Sequence, residues 1–344
     1  MDKEKFLLGF EEYKKIREYL QKNFEYFLDS ACEEFIDYYG EKYKDIITYR
    51  LHNANYIFYV NEEEKLVDSL DKVFDRGNFN ERYKIIKKQH KQVTDYLKGV
   101  KKHVDKFNSE NQDFEIVKIV NRKVYDTSLD TYSDTDKAIR EQEINHLLFK
   151  YGSSCAFFTP IYLEDSKKIE HDIVIPLFKA DDGTLIHEMI HAIMSQDLLL
   201  INENEPYLKT GISITVNRDS EELLEECITE IEANNISKRL KEKDISFIDK
   251  FFPKYTHSCF YDTFIPFVID FYDYFKDILT YSRITLNKSH LLEQIDRNNY
   301  YDFMVAFAEC YREYFSKDDF YYYKAKIGEE IDKMKDSYKV LKLK

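Results

Sequence analysis

The sequence predicts an α+β protein, predominantly helical, with a small mixed β-sheet in its middle and a helical C-terminal half. Three observations lead there. The 344 residues include only 8 Gly and 5 Pro, too few for a chain built from tight turns, so long unbroken helices are expected. Most of the chain repeats apolar residues at three- and four-residue spacing, the helical period. Against that background a few short runs rich in Ile, Val, Phe and Tyr stand out as strands.

In chain order, residues 5–50 read as two or three helices, with Phe10, Tyr13, Ile16, Leu20 and Phe24 in helical register. Residues 56–60, Tyr-Ile-Phe-Tyr-Val, read as a strand, and helical character returns over 62–105. The polar stretch 107–113 reads as a linker. It divides the chain into a helical N-terminal region, 1–110, without a readable motif, and a second unit, 111–344. Strands are expected at 114–120, 155–159, 172–178 and 211–216, with a loop over 126–136 and a charged turn at 164–168. Residues 181–184, Asp-Asp-Gly-Thr, offer N-capping side chains for a helix running through about Leu199. A second cap, Asp219-Ser220, opens a helical subdomain, 219–344, after the sheet and helix of 111–200.

Composition narrows the function classes. With 43% apolar and 34% charged residues the chain is globular rather than disordered. A formal charge of −14 argues against a nucleic-acid partner, which normally meets a net basic face. No run of 18 apolar residues exists, so no membrane-spanning helix is expected. Neither a dinucleotide-binding G-x-G-x-x-G nor a P-loop occurs. Cys32, Cys155, Cys227, Cys259 and Cys310 are scattered and odd in number, without C-x-x-C, which reads as reduced thiols. No apolar stretch of signal-peptide length precedes Glu11, and the expected location is cytoplasmic.

The chemistry is concentrated in one pentapeptide, His187-Glu188-Met189-Ile190-His191. Histidines four apart share a helical face, so both imidazoles can reach one metal ion, and zinc is the expected one. Glu188 is rotated by about 100° around the helix, which suits it to face a water at that ion rather than to bind it. Leu185, Ile186, Met189, Ile190, Ala192 and Ile193 make the helix apolar almost all round, and such a helix is buried. Buried imidazoles and a carboxylate need partners. Chance alone gives about 0.04 such motifs in a chain of this composition.

Catalytic zinc takes three protein ligands. The helix at 221–234 presents Glu226 and Glu230, four apart, beside an apolar side of Leu223, Leu224, Cys227, Ile228 and Ile231. Glu221, Glu222, Glu225 and Glu232 read as solvated charge.

With these two helices the sequence resembles the gluzincin metallopeptidases, the thermolysin-like group of zincins. Residues 225–230, Glu-Glu-Cys-Ile-Thr-Glu, are similar to the N-E-x-x-S/T-D pattern of that family, with Glu in place of Asn at Glu225 and of Asp at Glu230. The resemblance covers about 172–236. It implies that His187, His191 and Glu226 bind one Zn²⁺, that Glu230 supports a ligating histidine from behind, and that Glu188 is the general base. It also implies a zincin-like sheet packed on the motif helix. A second echo lies at 307–312, Phe-Ala-Glu-Cys-Tyr-Arg, similar to a segment of the anthrax lethal factor-like branch. It makes Glu309 the alternative third ligand, although Val305 stands where that branch carries its metal-binding Glu.

Zincins place a Tyr or His donor at the developing oxyanion, and Tyr255, His257 and Tyr261 follow the glutamate helix at a workable distance. His171 reads as a surface residue. The expected activity is hydrolysis of peptide bonds in a peptide or protein substrate. The alternative is a zincin-fold protein without peptidase activity, serving as a metal-stabilised regulatory or interaction module.

Overall fold

A computed structural model describes residues 10–61, 121–128, 132–151, 156–177, 180–202, 205–211, 213–214, 219–251, 260–314 and 316–342. The protein is α+β and mostly helical. Two helices open it, α1 (Phe10–Tyr39) and α2 (Lys44–His52), joined by a 3-10 turn, and strand β1 (Asn55–Asn61) follows. Then come β2 (Asn121–Asp126), α3 (Asp134–Tyr151), β3 (Phe157–Leu163), β4 (Lys168–Pro176) and α4 (Asp182–Ile193), the helix of the H-E-x-x-H motif. Strands β5 (Ser195–Asn202), β6 (Glu205–Thr210) and β7 (Ser213–Ile214) lead into α5 (Asp219–Glu242), the glutamate helix. The rest is helical: α6 (Ile248–Phe251), α7 (Ile265–Ile284), α8 (Lys288–Gln294), α9 (Arg297–Glu313) and α10 (Lys317–Lys342).

The main sheet is mixed, in the order β2-β1-β4-β3. β1 runs parallel to β4, with Tyr56 opposite Ile173, while β3 and β4 form an antiparallel hairpin. In β3 the side chains of Phe157, Thr159, Ile161 and Leu163 are buried and those between are not, the period of two that a half-covered strand requires. The sheet draws on both sides of the residue 110 boundary, since β1 lies between β2 and β4.

Two apolar cores meet at α5. The first joins α1, α2, β1, β4 and α4 with Ala233, Ile236 and Leu240 of α5. The second joins Leu223, Leu224, Cys227, Ile228 and Ile231 of α5 with α7, α9 and α10. Helix α5 is therefore held from two sides, and α4 lies against it. Cys32, Cys227 and Cys310 are free thiols in buried positions. Among the described residues no helix is long and apolar enough to cross a membrane.

Several boundaries differ from the sequence reading. The motif helix was expected through Leu199 but ends at Ile193, and residues 195–202 form β5. The reason is that the run Leu198–Ile201 carries no polar break, so periodicity cannot separate helix from strand; pairing with β6 decides it. Hairpin β3–β4 abuts its turn at 164–167 directly, so its strands lie at 157–163 and 168–176 rather than 155–159 and 172–178. The three-stranded sheet β5-β6-β7 was foreseen only as the strand at 211–216, of which Ser213–Ile214 is paired. The segments 62–105, 107–113 and 114–120 lie outside the described residues.

Candidate metal centre

Helix α4 is fixed at both ends. Asp181 forms a capping box with Thr184: its carboxylate accepts the Thr184 N–H at 2.8 Å, and the Thr184 hydroxyl accepts the Asp181 N–H. Asp182 in turn accepts the N–H groups of Phe247 and Ile248, tying the start of α4 to the start of α6. At the other end Arg50 donates to the carbonyl of Ile193, and also to that of Ile284 at 3.0 Å. From Thr184 to Ile193 every residue of α4 is buried, as its all-round apolar pattern requires.

On this fixed helix the rings of His187 and His191 stand one turn apart, with their Nε2 atoms 3.1 Å from each other. Glu226 of α5 brings Oε2 to 3.1 Å from Nε2 of His187 and 3.3 Å from Nε2 of His191. Behind the first ring, Nδ1 of His187 lies 2.8 Å from Oε2 of Glu230. An ionised carboxylate only accepts, so Nδ1 carries a proton, and Nε2 is the ring nitrogen that can offer a lone pair at the shared point once the imidazolium gives up its second proton. Among the described residues, His187, His191 and Glu226 form the group able to hold a metal ion.

Charge and burial pull the site in opposite directions. Burial disfavours a charged His187, but hydrogen bonds to Glu226 and Glu230 outweigh it and raise its pKa to about 10. Burial likewise pushes Glu226 up, yet the histidine charges and hydrogen bonds hold its carboxyl well below the usual range. Glu188 moves the other way. Burial raises its pKa, and His187 and His191 offset this only in part. Its carboxylate accepts the N–H of Phe158, so β3 of the sheet positions the acid of α4.

Of the other residues singled out in the sequence, Tyr261 stacks on His187, with ring centroids 6.3 Å apart and planes at 11°. Tyr255 and His257 lie outside the described residues. Glu309 is not at the centre: it pairs with Lys326 on the solvent side of α9, and Val305 is exposed there. The C-terminal echo therefore supplies no ligand. His171 is half-buried in β4, beside Phe158.

The reading of α5 as a helix with a wet glutamate face needs correction. Glu222 is exposed, but Glu221, Glu225 and Glu232 are buried. Glu221 pairs with Lys288 of α8, while Glu225 and Glu232 both pair with Arg283 of α7. Arg283 was missed. The available signal was an arginine on the apolar stripe of α7, four residues beyond Leu279 and eight beyond Phe275, both buried. Gly211 was also missed; with φ +57 it seats the β6–β7 connection against the Glu225 carboxylate.

Comparison of the chain with models of protein families, with curated proteins and with solved structures returns no match.

Proposed function

We propose that this protein is a cytoplasmic zinc-dependent metallopeptidase with a zincin-like catalytic unit of the gluzincin type. One observation carries the reading: three electron-pair donors from two helices converge with mutual separations of 3.1, 3.1 and 3.3 Å. In the metal-free protein a proton on His187 Nε2 bridges it to Glu226, and a metal ion would take the place of that proton. A tetrahedral zinc site with bonds of about 2.0–2.1 Å sets its ligand atoms about 3.3–3.4 Å apart, so the donor set fits. His187, His191 and Glu226 would hold the ion, and two imidazoles with one carboxylate suit zinc. The ion supplies Lewis acidity toward a carbonyl and lowers the pKa of water to roughly 7.

The remaining chemistry belongs to the chain. Glu188, made more basic by burial and oriented by the Phe158 N–H, takes a proton from the attacking water at its carboxylate and passes it to the leaving amine. Glu230 keeps His187 in the tautomer whose Nε2 is free to ligate. Tyr261, stacked on His187, is the candidate donor to the oxyanion. β3 is an edge strand of the main sheet, and an extended peptide could add to it beside Glu188.

The test is mass-spectrometric cleavage profiling of a peptide library, wild type against Glu188→Gln, with zinc content measured on both. Wild type is expected to carry one zinc and to cleave. The variant should keep the zinc and lose turnover by about 10²–10⁴-fold or more. Equal cleavage by the two rules out the mechanism. Zinc in both with cleavage by neither favours a metal-stabilised regulatory or interaction module.

A further inference from the structure

Outside the metal-facing surface of α5, a second polar cluster is wholly buried. Arg283 of α7 has no exposed surface, and its guanidinium grips three successive turns of α5. Nε donates to Glu225 Oε1 at 2.6 Å, Nη2 to Thr229 Oγ1 at 2.9 Å, and Nη1 to Glu232 Oε2. The acceptors are themselves held: Glu232 also accepts the hydroxyls of Tyr39 at 2.8 Å and Tyr272 at 3.3 Å. Three buried side chains at spacing four and three thus meet one planar fork.

Stability alone does not call for this cluster, because well-packed apolar residues of similar volume often stabilise a core as well as a buried ion pair does. Direction is what the fork adds. Apolar contacts are non-directional, so the two cores flanking α5 constrain its rotation less sharply than a directional bond does. A guanidinium fixes its acceptors in a plane. Glu226 and Glu230 each follow a gripped residue, Glu225 and Thr229, by one position. The turns that Arg283 holds are therefore the turns that face α4. Ligand constellations tolerate only about 0.5 Å of misplacement.

We propose that Arg283 is a positioning residue for the metal centre: its fork on Glu225, Thr229 and Glu232 sets the rotation of α5 that brings Glu226 and Glu230 to His187 and His191. The inference rests on the metal-centre reading above and not on peptide hydrolysis.

The test uses the full chain loaded with Co²⁺, whose visible bands report coordination geometry, with affinity measured against a competing chelator. Arg283→Lys keeps the charge and loses the fork; Thr229→Val keeps the shape and loses one acceptor. Met334→Ala opens the fully buried core position on α10 and serves as a destabilised control. Arg283→Lys is expected to weaken Co²⁺ binding by about 10–100-fold and to alter the bands. Thr229→Val should show a smaller loss, and Met334→Ala should change neither affinity nor bands. Wild-type affinity and spectrum in both Arg283→Lys and Thr229→Val overturn the inference, as does an equal loss in Met334→Ala. If Arg283→Lys does not fold, Thr229→Val decides. A wild type that binds no Co²⁺ overturns the metal-centre reading itself, and the inference with it.

Discussion

Nδ1 of His187 and Oε2 of Glu230 lie 2.8 Å apart, and Glu230 is fully buried. This bond joins α4 to α5 independently of Glu226, and it decides which ring nitrogen of His187 is free. Glu230→Gln keeps the shape but removes the charge that makes the imidazole a strong donor toward a metal. Zinc affinity is expected to fall by about 10–100-fold, with a smaller effect on the fold. Competition against a chromophoric chelator measures it; an unchanged affinity would show that Glu230 does not support the centre.

Metal binding and protons compete at the same ring. With its pKa raised from 6.5 to about 10, His187 is charged at neutral pH in the metal-free protein. A raised histidine pKa contributes stability that is full below the ordinary histidine range and is lost as pH rises through about 10. A ligating imidazole must be neutral, so zinc binding near pH 7 should release about one proton from His187, and affinity should rise with pH. Calorimetry in two buffers of different ionisation enthalpy reads the proton count. Chelation, in turn, should lower Tm, and zinc at about 1,000 times its Kd should add about 4 kcal/mol of stability.

The start of the motif helix depends on Asp181, whose carboxylate accepts both the N–H and the hydroxyl of Thr184. Asp181→Ala leaves those donors without their acceptor at a buried helix end. A loss of about 0.5–2 kcal/mol is expected in urea unfolding, with an unchanged m-value. A neutral result would mean that the ties through Asp182 and Arg50 suffice to hold α4.

At Gly211 two costs coincide. Its φ is +57, and a Cβ there would lie 2.2 Å from the Glu225 carboxylate. The left-handed backbone alone costs a non-glycine residue about 1–2 kcal/mol. Gly211→Ala must also push Glu225 off Arg283, so the loss should exceed that range, and zinc affinity should fall with it. Thermal and denaturant unfolding give the first quantity. A loss within the backbone range alone would show that Glu225 yields without disturbing its pair.

Much of the centre was legible because it is local. The i, i+4 spacing of His187 and His191 places both rings on one face of any helix, whatever that helix packs against. The apolar surround of α4 announced its burial, and residues 181–184 announced its cap. Glu226 and Glu230 were readable as a pair by the same spacing. The end of α4 was not, since a leucine-rich run satisfies both helix and strand until a partner strand supplies its hydrogen bonds.

By itself, then, the amino-acid order determined that two imidazoles and a carboxyl would share a buried helix, for helical geometry repeats within the chain and needs no outside reference. Only tertiary structure decided that Glu225 and Glu232 of α5 are buried on Arg283 rather than solvated. Glu225, Glu226, Glu230 and Glu232 all sit on the same helix, and its rotation is set by Arg283, 58 residues beyond Glu225 in the chain. A helix carries no record of its own orientation; what packs around it supplies that.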